Sequence, residues 1–340
     1  MTIPKTAPAA GDARRTAAAV AATIAGLLPL LGWLPAPNAA AQAFPARPIR
    51  LMIPASPGGP ADIVARIVAQ NYGEAIGQSL VADNRAGAGG GIGAEIVARS
   101  QPDGYTVMIS HSGPLAIEPL RQSKPSYDPL RDFTALSLVA EQAYMLIVHP
   151  SVQAKTVQEL VALARTRPGK MNFASGGPGT GIHMAAELFN LVAGLKVVHV
   201  PYKGAGPGMG ALIGGEVDMM FNGISSALPQ VRAGKLRALA MAGTKRSNLL
   251  PELPTIQEAG FRYDTSGWYG YVGPAGLPKP IAARLQEALV KTLATTEVRE
   301  RFSAQGIDGI GSTPAAFAAF LREETAKWRK VIDAAGLKGD

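Results

Sequence analysis

No cysteine occurs anywhere in the 340 residues. Disulfides, thiolate metal sites and thiol catalysis are therefore excluded, and packing alone must hold the chain together. Aromatic residues are scarce, 6% against 47% hydrophobic overall, so the core is built from small aliphatic side chains. The chain has no Walker lysine motif, and no Gly-x-Gly-x-x-Gly closes in its glycine-rich stretches, which argues against nucleotide and dinucleotide sites. A Gly-x-Ser-x-Gly elbow is also missing. No basic run is interleaved with aromatics, so nucleic acid is not an expected partner. Beyond residue 43, no stretch approaches the roughly 18 apolar residues that span a bilayer.

The one long apolar run lies at the start. Met1–Thr16 carries Lys5, Arg14 and Arg15, Ala17–Leu34 is almost wholly apolar, and Pro35-Ala36-Pro37-Asn38 breaks it. Ala41-Gln42-Ala43 then supplies the small-x-small pattern of a signal peptidase site. Residues 1–43 are read as an export signal cleaved after Ala43, which places the mature protein in the periplasm. Arg14-Arg15 is the dipeptide that twin-arginine export uses. From residue 44 onward the chain carries 30 basic and 24 acidic side chains, a net +6 that suits an acidic small molecule.

Glycine and proline are what the chain has in abundance, 39 and 27 residues without a period. They punctuate repeated strand–turn–helix units, the signature of a parallel sheet covered by helices. In the first, strand Ile49–Ile53 passes through Pro54-Ala55-Ser56-Pro57-Gly58-Gly59 into a helix over Ala61–Ile76. Pro60 suits a first helical position, where its missing N–H has no partner. A glycine turn ahead of a helix leaves bare N–H groups at the positive end of the helix dipole, a ready anion site. Strand Ser79–Asp83, the glycine-rich Asn84–Gly93, helix Ala94–Ser100 and strand Tyr105–Ser110 follow. Two strands, Leu136–Ala140 and Tyr144–Val148, come next, and Thr156-Val157-Gln158-Glu159 is a capping box opening a helix.

A second anion-type turn then appears. Strand Met171–Ala174 leads through Ser175-Gly176-Gly177-Pro178-Gly179 to Thr180, placed to cap a helix over Ile182–Val192. A third unit runs from Val197–Val200 through Lys203-Gly204-Ala205-Gly206 to a helix around Met209–Ile213. Strands Val217–Phe221, Leu236–Ala240 and Trp268–Val272 complete the set, and from Ile281 onward only helices are expected.

Nothing in the chain assembles a nucleophile, a base and an orienting group. His183 and Glu187 stand four apart on one helix, but no third metal ligand accompanies them. Ser175 has no base signalled by spacing, and Asp62 sits where an aspartate caps a helix. Two glycine-rich helix N-termini facing each other would grip a carboxylate from both sides. That describes a binding protein, not an enzyme.

Eight stretches in order carry a family likeness over the mature chain: Phe44–Ile49, Pro57–Asp62, Asp83–Gly90, Pro102–Thr106, Ala174–Thr180, His199–Gly204, Gly234–Ala240 and Leu253–Gly260. The sequence resembles the Bug (TctC-like) family, periplasmic substrate-binding receptors of tripartite tricarboxylate transporters. The resemblance implies an α/β, two-domain periplasmic-binding-protein-like (type II) fold, each domain a mostly parallel sheet covered by helices, with ligand in the interdomain cleft. Domain 1 would span residues 44–148 plus 268–340, and domain 2 residues 149–267. The carboxylate would be held by backbone amides at two loops, matched here by Ala55, Ser56, Gly58 and Gly59 and by Ser175, Gly176, Gly179 and Thr180. His111, Ser112 and Asn222 would be secondary lining. The implied protein is a monomer without cofactor or metal, handing a small organic carboxylate to inner-membrane permease subunits. The alternatives are a ligand sensor feeding a sensor kinase and an exported hydrolase using Ser175 or Asp62. Ala55 departs from the phenylalanine common in the family, leaving space for a ligand bulkier than a four-carbon diacid, and Ala61 lacks a hydroxyl often found there.

Overall fold

The computed structural model describes residues 44–338, with Met1, Thr2 and Pro4. The export signal and its Ala41-Gln42-Ala43 site lie outside the described residues. Strand β1 (Ile49–Ile53) shows how the sheet is packed. Ile49, Leu51 and Ile53 enter the core on one face while Met52 enters the core on the other. The period of two in side-chain direction thus covers both faces with helices. Helix α1 (Pro60–Ile76) starts with proline at its first turn and stops at Gly77, whose left-handed φ of 88° closes it. Strand β2 (Leu80–Asn84), helix α2 (Gly91–Ala98) and strand β3 (Thr106–Ser110) follow. β1 pairs with β2 and β3 in parallel. A π-turn over Gly113–Ile117 leads into the short α3 (Glu118–Arg121), neither of which the sequence pattern signalled.

Strand β4 (Phe133–Val148) is one continuous strand of 16 residues, where two were expected. The polar Glu141-Gln142 falls between the two apolar runs. Gln142 is instead buried, 1% exposed, at the point where β4 passes from one half of the sheet to the other. In the second half come α4 (Val157–Thr166), β5 (Asn172–Ser175), α5 (Gly181–Ala193), β6 (Val198–Pro201), α6 (Ala205–Ile213), β7 (Met219–Gly223), α7 (Ile224–Arg232) and β8 (Arg237–Met241). The capping residues act as read: Thr156 accepts from the Glu159 N–H, and Thr180 from the His183 N–H.

Strand β9 (Ser266–Pro274) returns to the first half between β3 and β4, antiparallel to both. The spatial order is β2-β1-β3-β9-β4-β7-β5-β6, with β8 and the three-residue β10 (Ile307–Gly309) also on β4. β10 corrects the expectation that the last stretch holds helices alone. It lies between α9 (Thr296–Ala304) and α10 (Pro314–Ala335), with α8 (Lys279–Leu293) before them. Gly270 of β9 is where the Phe317 ring of α10 lies, leaving no room for a Cβ. Glu324 of α10 is 8% exposed and accepts from the indole N–H groups of both Trp268 and Trp328. The second half encloses a core of its own, from Tyr144 to Tyr263. Among the described residues, no helix is long and apolar enough to cross a membrane.

Candidate anion-binding site

Three helix N-termini meet at one cavity: Gly59-Pro60-Ala61 at α1, Thr180-Gly181-Ile182 at α5 and Gly204-Ala205 at α6. The first belongs to the half of the sheet holding β1, the others to the half holding β5. Each helix starts there because a glycine-containing turn follows the C-terminal end of a strand. Neither α1 nor α6 has a side-chain cap, and Thr180 satisfies only the His183 N–H at α5. Among the described residues, nothing accepts from the N–H groups of Ala61, Asp62, Gly176, Gly181, Ile182 or Ala205. A buried N–H without a partner costs about 1–3 kcal/mol, so water or a ligand must occupy the cavity.

The cavity is small, about 60 Å³, room for about four to six waters at 10–15 Å³ each. The halves touch around it. The Ser56 hydroxyl accepts from the Gly206 N–H at 3.2 Å, and a Cβ on Gly89 would lie 2.8 Å from the Pro178 carbonyl oxygen. Tyr144 and Tyr269 form two walls, with His111, Ala55 and Ala86 completing others. No Lys, Arg, Asp or Glu side chain lines it. Burial pulls the His111 pKa down to about 4, against a weaker upward pull from the Pro54 carbonyl. Its Nδ1 accepts from the Gly113 N–H at 3.2 Å, so His111 is a neutral wall. The attraction for an anion comes from peptide dipoles rather than from side-chain charge.

Of the residues read from sequence, the structure brings Ala55, Gly59, His111, Gly176 and Thr180 to the cavity. The others stand behind it. The Gly58 N–H is taken by the Asp62 carboxylate at 2.9 Å, and the Gly59 N–H by the Ser56 carbonyl at 3.3 Å. The Gly179 N–H goes to Nδ1 of His183 at 3.3 Å. Ser112 lies beside the Tyr144 hydroxyl, behind Gly181. Asn222 is buried in β7, its Oδ1 accepting from the Gly223 N–H. Ser175 is fully buried; its hydroxyl meets His199 Nε2 at 2.6 Å and accepts from the Gly177 N–H at 3.0 Å. A serine so enclosed, away from the cavity, cannot reach a bound molecule. Asp62 is equally committed, accepting also from Arg66 and from Asn84. The α6 terminus and the two tyrosines were not singled out from sequence. The third glycine turn signalled the first, whereas Tyr144 and Tyr269 sit in ordinary strand patterns.

Two half-sheets joined through long antiparallel strands, with uncapped helix ends from both meeting at one cavity, define a periplasmic-binding-protein-like solute receptor. The model of the tripartite tricarboxylate transporter family receptor matches residues 64–337, and the chain belongs to that family. It is 35% identical to the protein BugT of Bordetella pertussis, covering 88% of this chain and 92% of that one. Among solved structures, Rpa4515 of R. palustris with adipate has a TM-score of 0.84 at 33% identity, covering 86% of this chain and 98% of the other. The periplasmic binding protein BugD has a TM-score of 0.85 at 31% identity, covering 87% and 100%. The family consists of solute-binding receptors, not enzymes.

Proposed function

We propose that this chain is a periplasmic receptor that captures a small organic carboxylate between two lobes and delivers it to inner-membrane permease subunits. The lobes are residues 44–148 with 268–340, and residues 149–267, and the export signal is removed after Ala43. One observation carries the reading: three helix N-termini from both halves of the sheet, each with N–H groups that no protein acceptor takes, converge on a cavity without a charged side chain. The relative with adipate supports the ligand class. Ala55 on the cavity wall supports a ligand bulkier than a four-carbon diacid, admitted as the lobes part. The groups that hold the carboxylate are the N–H groups of Ala61, Gly176, Gly181, Ile182 and Ala205.

A thermal-shift screen over mono-, di- and aromatic carboxylates, each beside its neutral amide, tests this. Ligand at about 100 times its Kd stabilises the native state by about 2.7 kcal/mol, a shift of several degrees for a chain of this size. Carboxylates should shift the transition while their amides do not. Equal shifts by acid and amide, or none by any acid, would defeat the reading.

A further inference from the structure

Beneath the loop 176–180 lies a cluster of side chains that does not itself line the cavity. His183 of α5 and His199 of β6 stack with ring centroids 4.1 Å apart, and Phe173 of β5 stacks on His199 at 4.9 Å. His183 is 3% exposed. Nδ1 of His183 accepts from the Gly179 N–H, and its Nε2 faces Glu187 at 3.6 Å. Nε2 of His199 meets the Ser175 hydroxyl, which in turn accepts from the Gly177 N–H. Alternate amides of the loop are thus tied down from below, at Gly177 and Gly179. Gly176, between β5 and those ties, lines the cavity, and nothing among the described residues accepts from its N–H.

We infer that His183, His199 and Ser175 are positioning residues that set the shape of the 176–180 loop, and that this shape persists only while Nδ1 of His183 carries a lone pair and the His199 ring is neutral. The inference deepens the carboxylate-receptor reading, since the loop matters as one wall of that site. The reason is in the hydrogen-bond chemistry. A backbone N–H can only donate, so Nδ1 of His183 must carry a lone pair. A proton there would set N–H against N–H and release Gly179. A second ring cation 4.1 Å away would add repulsion between stacked like charges. Burial, then His183, hold the pKa of His199 down to about 4, with Glu187 acting upward and Arg121 downward. The charged groups that face the pair are Glu187 from α5 and Arg121 from α3. Glu118, paired with Arg121 at 3.2 Å, abuts Gly179 from the other half. As pH falls from the ordinary histidine value of 6.5 toward 4, a chain in which His199 is released binds a proton that the set cluster excludes. The set shape is therefore complete above that range and lost through it.

Amide hydrogen exchange in the unliganded full-length mature protein tests this, read at Gly177 and Gly179 by NMR against Ala185 of α5 as control. In wild type, protection of Gly177 and Gly179 relative to Ala185 should fall at least tenfold between pH 7 and pH 4.5. His183→Asn keeps an acceptor near Nδ1, and His199→Gln keeps a partner for Ser175, yet neither titrates. Their combination should retain protection within about threefold at pH 7 and lose the pH dependence. His183→Leu should expose Gly179 at every pH. Should that variant fail to fold, the Asn/Gln comparison decides alone. Equal pH profiles in wild type and the Asn/Gln variant would overturn the inference. So would Gly179 protected as in wild type in His183→Leu. These outcomes do not depend on any carboxylate, so failure of the ligand screen and failure of this inference are separate results.

Discussion

A single methyl group tests the anion site. A Cβ on Gly176 would lie 3.2 Å from the Ala205 nitrogen and 3.4 Å from Thr180 Cγ2, so it would crowd the Ala205 N–H between two residues that line the cavity. The backbone at Gly176 is outside the left-handed region, and alanine brings no conformational strain there. Gly176→Ala should therefore still fold, with its melting lowered only modestly by the tight contact, while losing carboxylate affinity at least tenfold, a loss of about 1.4 kcal/mol. Calorimetry that finds unchanged affinity would place the anion elsewhere. The residue scale is where the sequence was least legible. The glycines Gly58, Gly59 and Gly179 looked like the donors because a glycine turn exposes its amides. Their N–H groups are spent inside the loops instead. The free donors belong to Ala61, Ile182 and Ala205, residues with no distinguishing side chain, since any residue just inside a helix start has an unpaired N–H.

Elements were more legible, because a strand–glycine–helix turn is written in consecutive residues. β1, α1 and the caps Thr156 and Thr180 fall where hydrophobic period, Pro60 and Gly77 put them. β4 did not, because the burial of Gln142 is set by partners far away in sequence. Its Nε2 donates to the Tyr269 hydroxyl at 2.7 Å and its Oε1 accepts from the Ser225 N–H at 3.2 Å. Nothing within β4 announces them. Asp62 belongs to the legible kind, and its environment makes a prediction about the β1–α1 turn. Burial raises its pKa, but Arg66, the Gly58 N–H and Asn84 together outweigh that and leave it lowered. A lowered folded pKa means stability present above the unfolded value and lost as pH falls through the folded one. Asp62→Asn should cost about 1.5–3 kcal/mol at pH 7, the worth of hydrogen bonds to a charged group. The gap between variant and wild type should narrow as pH drops below about 4. Urea denaturation at pH 7 and pH 3 measures both, and a gap that stays constant would mean that the carboxylate charge is not what holds the turn.

At the scale of the molecule, the position of the cavity between the halves sets how a ligand can enter. The cavity lies between helix ends of both halves, so a ligand bulkier than the present space is admitted as the halves part. The halves have the means to part. The second has its own core, and the Ser56–Gly206 hydrogen bond is a contact across the cavity that one substitution can remove. Neither fact could be read from the chain, because both depend on how two separately legible sets of βα units are set against each other. Opening before binding has a kinetic signature. In stopped-flow fluorescence, followed through Trp268 on β9, the observed rate should rise with ligand concentration and then level off at the opening rate. A rate that climbs linearly to the highest concentration would mean that the cavity fills without opening. Ser56→Ala removes the bond to the Gly206 N–H while leaving α6 and the β1–α1 turn in place. If that bond holds the halves together, its loss of about 1 kcal/mol should raise the plateau about fivefold. An unchanged plateau would move the latch to the other contacts, where Gly89 meets Pro178 and Glu118 meets Gly179.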